Sequence, residues 1–597
     1  MWNGLESDAP NVCRAMVKSD ITEVPIRRLR IGLLLNSYQP AAWVAKIIAD
    51  LQHSDWAEIV LVVTGRRKAE TKKSIRERLR NYCRVGLFAM YSKWDYLHYR
   101  GDNDALASVD VEDLLCDVPR VDVPVIENKF TDRFRVEDIQ RIRSADVDVL
   151  FRFGFRILRG KILDCAKYGV WSFHHGDNRE YRGAPPGFWE IYEKNPVTGS
   201  TLQILTESLD GGKVIDRSLA STNCESLYAN KNPLYWKTSE IAVRRLRDLH
   251  LRGWTAIESL DSYKETDTYR KAIYKTPGNW VMLCLLARMS WRNLRRKAVS
   301  VFWTHHVQWF LAIRPKEPGR AANEAMHSYR VLAPPKNAFH ADPCLFHWKG
   351  SDYVFYEDFS YASGKAAISC ARIESDGRLA NSEVVLDRPY HLSYPFVFEY
   401  AGSVYMMPET RMNRTLEVYR AEEFPRCWVL EKELMRREHA VDPTLLQYGG
   451  KYWLFVNLAK KTYSTCDELH LFFANSPLGP WHAHLLNPII SDVRYARSAG
   501  GLFWEGERLI RPAQDCSTAY GYAIAFREVE VLSETEYSER PYGRIGPEWA
   551  PRNLGTHTYT RTERFEMIDG NFVRWQLRTA GGVYKAIFNR TFGRKHC

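Results

Sequence analysis

The stretch GVWSFHHGDNREYRGAPPGFWEIYEKNPVTGSTLQILTESLDGGKVID, Gly169 to Asp216, decides how the first half of this chain is read. It opens on a short apolar run, Gly169 to Phe173, which predicts a buried strand ending at His174 and His175. A loop follows with Arg182-Gly183 and Pro185-Pro186, then an aromatic helix start at Phe188-Trp189-Glu190. Thr198-Gly199 turns the chain into an alternating strand, Thr201 to Leu205, and the segment closes on Leu209-Asp210-Gly211-Gly212. A histidine at a strand end, with a carboxylate from a Gly-flanked turn 36 residues later, is a general acid–base layout. Each residue alone also has a plainer reading, the His as a structural partner and the Asp as a turn former.

Upstream, the runs Arg30 to Asn36 and Glu58 to Val63 are apolar throughout and flank an amphipathic helix from Pro40 to Leu51. Strand, helix and strand of this kind predict a parallel sheet covered on both faces. No Gly-x-Gly-x-x-Gly follows the first strand, so no dinucleotide site is expected. Residues 66–100 are basic and aromatic and predict a helical insertion. Pro124 places the strand Val121 to Ile126 at a sheet edge. Val136 to Arg143 reads as a short helix, and Asp148 to Phe153 as a core strand leading through Gly154 toward the opening stretch.

A length of 597 residues allows two or three domains. The formal net charge of +12 implies an anionic partner, such as a nucleotide, a folate glutamate tail or a phospholipid. No RNA-binding module accompanies that charge, so nucleic acid is not expected. The 12 cysteines form no Cys-x-x-Cys pair, which argues against structural zinc and predicts free thiols in a reducing compartment. With neither a secretory signal nor a spanning apolar run visible, the expected location is the cytoplasm. Asn279 to Ile313 joins apolar patches to Arg292, Arg295, Arg296 and Lys297. Two readings stay open for it: a segment lying on an anionic membrane surface, or an interdomain helix packed on its neighbours.

The last 270 residues repeat. Asp342-Pro343, Tyr394-Pro395 and Asp442-Pro443 are each followed by a glycine (Gly350, Gly402, Gly450) and then an aromatic residue; the pattern returns near Ala499 with Gly506. The period is near 50 residues, and each unit reads as strand, Gly turn, strand. A blurred fifth unit runs from Gly555-Thr556-His557 through Gly570, so five propeller blades are expected.

The opening stretch resembles the catalytic core of the folate-dependent formyltransferases. His174, Arg182-Gly183 with Pro186, Thr198-Gly199 and Leu209-Asp210-Gly211-Gly212 stand in that family's order. The resemblance implies 10-formyltetrahydrofolate as formyl donor, His174 as oxyanion donor and Asp210 as its orienter and proton acceptor. Ser172 stands where the family has an Asn, so one amide donor is replaced by a shorter hydroxyl. Phe153, Gly154 and Gly211 are the implied folate contacts, with His175, Asp177 and Arg182 as substrate contacts.

The repeats resemble the propellers of furanosidase- and xylosidase-type glycoside hydrolases. They resemble more closely the N-terminal propeller of glucosamine inositolphosphorylceramide transferases, through residues 340–346, 391–410, 441–446, 476–481, 511–515 and 555–560. Asp342 and Asp442 match the hydrolases' inward Asp positions, Glu409 is the nearest acid candidate, and Arg497, Arg511 and Asp515 would make the axis basic.

The expected architecture is therefore a Rossmann-like α/β domain over 28–220, a helical linker or capping region over 221–325, and a five-bladed propeller over 326–597. The expected function is formyl transfer to a nucleotide- or lipid-linked amino sugar in glycan biosynthesis, in the cytoplasm or peripheral to the inner membrane. The alternatives are a propeller glycosidase or glycosyltransferase, and a non-enzymatic glycan-binding protein.

Overall fold

A computed structural model describes residues 27–66, 74–128, 130–207, 212–260, 273–459 and 464–578. The apolar runs become the strands β1 (Leu29–Leu35) and β2 (Ala57–Arg66), with helix α1 (Ala42–Gln52) between them. The long helix α2 (Ile75–Tyr99) occupies the basic aromatic insertion. β3 (Arg120–Pro124), α3 (Val136–Arg143), β4 (Val149–Arg152) and β5 (Val170–His174) follow, then the short helix α4 (Phe188–Glu193). β6 (Val197–Ile204) and β7 (Lys213–Ser221) complete a seven-stranded sheet of order β7-β6-β5-β4-β1-β2-β3. β1 to β5 are mutually parallel, whereas β6 and β7 are antiparallel additions. Both faces are covered by apolar cores, which is why the strands are hydrophobic on both sides.

The region expected over 221–325 as a helical linker or capping region divides into helices that cap the α/β half and, from Trp303, a strand. α5 (Leu227–Arg252) sends Ile241, Ala242, Leu246 and Leu249 into the core beneath β1, so it belongs to the α/β half. After the single turn α6 (Trp254–Glu258), α7 (Asn279–Phe302) lies against α2 and α4 through the buried Met282 and Leu285. At Trp303 the chain becomes a 13-residue strand, Trp303–Pro315, which pairs with Phe565–Leu577 along its whole length. The β-rich half thus begins at 303 and not at 326. Its pairing partner lies more than 250 residues on, beyond the reach of local periodicity.

Five sheets make up that half. One combines Trp303–Pro315 and Arg330–Leu332 with Tyr559–Arg561 and Phe565–Leu577. The others cover Ala338 to Leu386, Ser393 to Arg436, His439 to Ala483 and Arg497 to Ile545. Hydrogen bonds link each sheet to the next: Leu345 N to Thr560 Oγ1, Val397 N to Cys344 Sγ, Tyr394 with Thr444, and Ser498 N to Asn457 Oδ1. Tyr559 N donates to Ala499 O and returns the series to the first sheet.

The halves are fastened by buried charge. Lys237 of α5 meets Asp467 at 2.8 Å, both almost fully enclosed. Beside them, Leu219 of β7 exchanges backbone hydrogen bonds with Ser491 and Val493.

Candidate functional site

Of the predicted site residues of the α/β half, Gly154, Ser172 and His174 lie toward the C-terminal edge of the parallel sheet. There β1 and β4 are neighbours whose connections run in opposite directions, the place where open α/β sheets bind ligands. A cavity of about 400 Å³ lies at this edge, lined by Asn36, Gly65, Phe155 and Arg156. That size falls in the range of small-molecule sites. The N–H groups of Phe153 and Gly154 both donate to Leu34 O, and Asn36 Oδ1 accepts from Phe155 N. A Cβ on Gly154 would stand 2.5 Å from Asn36 N, so only glycine lets β4 end this close to β1. The half-buried Phe153 ring is stacked on Phe151 at 4.9 Å and edge-on to Trp43.

Alternation along β5 separates the two histidines. Ser172 and His174 share one face. Ser172 Oγ is buried and accepts from Arg152 Nη1 at 2.9 Å, while the same guanidinium holds the carbonyls of Phe155 and Arg156. His174 Nε2 lies 2.6 Å from the carbonyl of Tyr181. A carbonyl only accepts, so Nε2 carries the proton and Nδ1 is left without a partner among the described residues. Gln203, paired with Ser172 across the strands, has its Oε1 buried with no hydrogen bond.

His175 points the other way, and its expected substrate contact is corrected. Its ring stacks on Tyr235 at 3.9 Å and meets the edge of Trp43 at 5.4 Å. Enclosure, with the neighbouring His174 and Lys231, pushes its pKa down to about 3, so it packs as a neutral ring. Asp177 is held by Arg179 at 2.7 Å and faces Arg217 at 3.5 Å. Burial alone would raise its pKa; the Arg179 hydrogen bonds and both cations hold it below the usual range. Its loop packs on Gly199 of β6, where the expected Thr198-Gly199 turn is part of the strand, so closely that a Cβ on Gly199 would lie 2.7 Å from Asp177 N. Arg182 O accepts from Tyr274 N, pairing the Arg182-Gly183 segment with the stretch before α7.

Asp210 and Gly211 lie outside the described residues. The flanking residues are informative: Ile204 pairs with Trp171 and with Lys213, whereas His174 pairs with Thr201. The ends of that turn therefore sit three positions back along β5 from His174, roughly 10 Å at the usual rise per residue.

In the β-rich half, the three X-Pro repeats are bulges. Asp342, Tyr394 and Asp442 have φ of 51°, 45° and 49°, and the ladder register slips at each. Their side chains converge. Asp342 Oδ1 accepts from Thr558 Oγ1 at 2.8 Å, and Oδ2 from Tyr394 N at 3.2 Å. His557 lies between Asp342 (3.5 Å) and Asp569 (2.5 Å). Asp442 takes Arg497 through both oxygens, at 2.6 and 3.1 Å, and Gln514 at 2.9 Å. Burial pushes Asp342 up to about 7. Burial and the nearby Asp442 raise Glu409 well above the carboxylate range, although Arg497 lies 3.5 Å away. Burial would lower His557, but Asp569 and Asp342 outweigh it and push it up to about 9.

Asp342, His557 and Asp569 bring ligand atoms within 4.8 Å of one another, the one such group among the described residues, yet they already bond to each other. The cavity bordered by Asp342, Tyr394, Gly500 and Thr558 measures about 20 Å³, room for a water and not for a sugar ring.

The basic axis is corrected: Arg511 and Asp515 are not part of it. Gln514 faces Asp442, so Arg511, three residues away, faces the opposite side of its strand, where Glu539 takes it through both oxygens. Asp515 accepts from Ser517. Sequence reasoning missed Arg152, Gln203 and His557, because each acquires meaning only from a cross-strand or cross-sheet neighbour.

Residues 326–545 match the family model of the N-terminal region of glucosamine inositolphosphorylceramide transferase 1. That protein in Oryza sativa subsp. japonica is 39% identical over 209 residues, 34% of this chain and 28% of the relative. The methionyl-tRNA formyltransferase of Prochlorococcus marinus subsp. pastoris is 30% identical over 151 residues, 24% of this chain and 45% of the relative. Among solved structures, glycinamide ribonucleotide transformylase 1 from Symbiobacterium toebii overlays 37% of this chain and 88% of its own, with 14% identity and a TM-score of 0.26. One chain thus carries likenesses to two kinds of transferase, and spans less than half the length of each of these two curated relatives.

Proposed function

We propose that the protein transfers a formyl group from 10-formyltetrahydrofolate to the amine of a nucleotide- or lipid-linked amino sugar in glycan biosynthesis. The observation that carries this reading is the sheet edge, where a partnerless His174 Nδ1 and an unsatisfied Gln203 Oε1 flank Ser172. The cavity of ligand size at the same edge supports it, as does the likeness to methionyl-tRNA formyltransferases.

The folate donor supplies the formyl carbon. His174 Nδ1, left free by the Nε2 hydrogen bond to the Tyr181 carbonyl, takes the proton the attacking amine must lose and returns it to the folate nitrogen whose bond to the formyl carbon breaks, so that tetrahydrofolate leaves. Ser172 Oγ already accepts from Arg152, which leaves its own O–H to donate toward the carbonyl oxygen of the formyl group. Gln203 Oε1 offers an acceptor for a substrate N–H. In this reading the five sheets are propeller blades that hold the glycan or its carrier, and the protein works in the cytoplasm. Propeller hydrolysis is disfavoured by the paired Asp342 and Asp442 and by the 20 Å³ cavity.

Calorimetric titration with a 10-formyltetrahydrofolate analogue tests the proposal, in wild type and in Ser172→Asn. Binding by either, followed by formyl transfer in a screen of amino-sugar nucleotides, is the expected result. No binding by wild type and none gained with Ser172→Asn would sink it.

A further inference from the structure

Only Met282 and Leu285 of α7 are buried; Asn279 anchors the helix start by accepting from Leu87 N and donating to Cys83 O. The opposite face carries large apolar side chains into solvent: Trp280 is 76% exposed, Leu283 50%, Trp291 69%, Leu294 60% and Phe302 57%. At 100° per residue these five fall within an arc of about 100°, a continuous apolar stripe along the helix. Positive charge borders it. Arg295 lies just beyond one edge of the stripe and Lys297 beyond the other, and the helix contains no Asp or Glu.

The remaining cations on the helix fasten it down. Arg292 donates to Cys224 O, Arg296 pairs with Glu225, and Arg288 lies over the Tyr192 ring. Arg295 has no partner among the described residues. The apolar surface continues past the helix end. Trp303 pairs with Leu577 and His305 with Trp575, so the exposed Trp303, Val307, Trp575 and Leu577 share one face of the two-stranded ribbon.

We infer that α7 and this ribbon form a docking surface for a lipid bilayer bearing anionic headgroups. Trp, Leu and Phe along one face bordered by Arg and Lys is the pattern of a helix that lies in the membrane interface, its apolar face sunk roughly 5–10 Å. A second copy of the chain fits poorly, because it would bring Arg295 and Lys297 of both copies together. No described helix is long and apolar enough to cross a membrane, so the contact is with the surface.

The test is co-sedimentation of the full chain with phosphatidylcholine vesicles and with vesicles that also contain phosphatidylglycerol. Variants are Trp291→Ser with Leu294→Ser, and Arg295→Glu with Lys297→Glu. All four positions are exposed, so unchanged thermal melting is expected and keeps the comparison clean. The expected result is binding to the anionic vesicles, weakened by salt and by both variants. Each cation near such a surface is worth about a fivefold change in partitioning, so the charge reversal should cost roughly twentyfold or more. Absence of binding to anionic vesicles, equal binding to neutral ones, or a concentration-dependent dimer lost with Trp291→Ser and Leu294→Ser while vesicle binding persists would overturn it.

Discussion

The candidate sites of the two halves differ in which of their polar groups are matched. In the α/β half, His174 Nδ1 and Gln203 Oε1 are left without partners among the described residues, and a cavity that a small molecule could fill opens along the same sheet edge, at Asn36, Gly65, Phe155 and Arg156. Where the bulges of the β-rich half converge, Asp342 and Asp442 are matched by Thr558, His557, Arg497 and Gln514, Glu409 Oε2 stays without a hydrogen bond 3.5 Å from Arg497, and the cavity beside Asp342 is water-sized. Residue types alone would favour the second cluster as the reactive one, since it holds more acids and a histidine. Pairing and room together decide otherwise: Asp342 and Asp442 are already paired and costly to free, and the unbonded Glu409 Oε2 has no cavity of ligand size beside it among those described.

The largest effect that would sharpen this contrast is structural. Asp442→Ala strands Arg497 as a buried cation without its two-point partner, and should cost about 3–5 kcal/mol in chemical denaturation. A loss below about 1 kcal/mol would mean the cluster is wetter and freer than its distances imply. His557 gives the next effect. Its folded pKa of about 9 lies above the ordinary 6.5, so the folded state holds the proton more tightly. The stabilisation is fully present below pH 6.5 and is lost as pH rises through about 9, on the order of 3 kcal/mol. Melting temperature should fall across that window in wild type and much less in His557→Gln; identical profiles would remove the ion pair from the account.

At the other site the expected losses are kinetic. His174→Gln should lower formyl transfer roughly a hundredfold while melting stays within about 1 kcal/mol of wild type. Asp342→Asn, in the same assay, should leave turnover unchanged, and the reverse outcome would exchange the roles of the two halves. Smallest of all, Asp515→Asn should alter neither stability beyond about 0.5 kcal/mol nor activity, because its carboxylate serves a local turn with Ser517 and a long contact of 4.0 Å with the exposed Arg544.

Much of the architecture was legible because it is local. The apolar runs around Leu33 and Val62 name the parallel strands, and the X-Pro repeats mark the positions where three sheets bulge. What escaped depends on distance or on parity. Nothing around Trp303 points to Leu577, its partner across the closing sheet. Arg511 and Gln514 differ by three positions, so one faces the Asp442 cluster and the other turns away, a distinction composition cannot carry. His174 and His175 are the sharpest case: two identical neighbours, one bonded to the Tyr181 carbonyl and one packed against Trp43 and Tyr235.

The sheet that joins Trp303–Pro315 to Phe565–Leu577 also sets an order of events during synthesis. The α/β half has all its described strands and α5 once Arg252 has left the ribosome, and can fold while translation continues. Trp303–Pro315 then waits with one edge open until nearly the whole remaining chain has been made. For that interval the strand containing Trp309, Phe310, Leu311 and Ile313 has only the short Arg330–Leu332 as a partner, on its other edge, and the arrival of Phe565–Leu577 closes the open one.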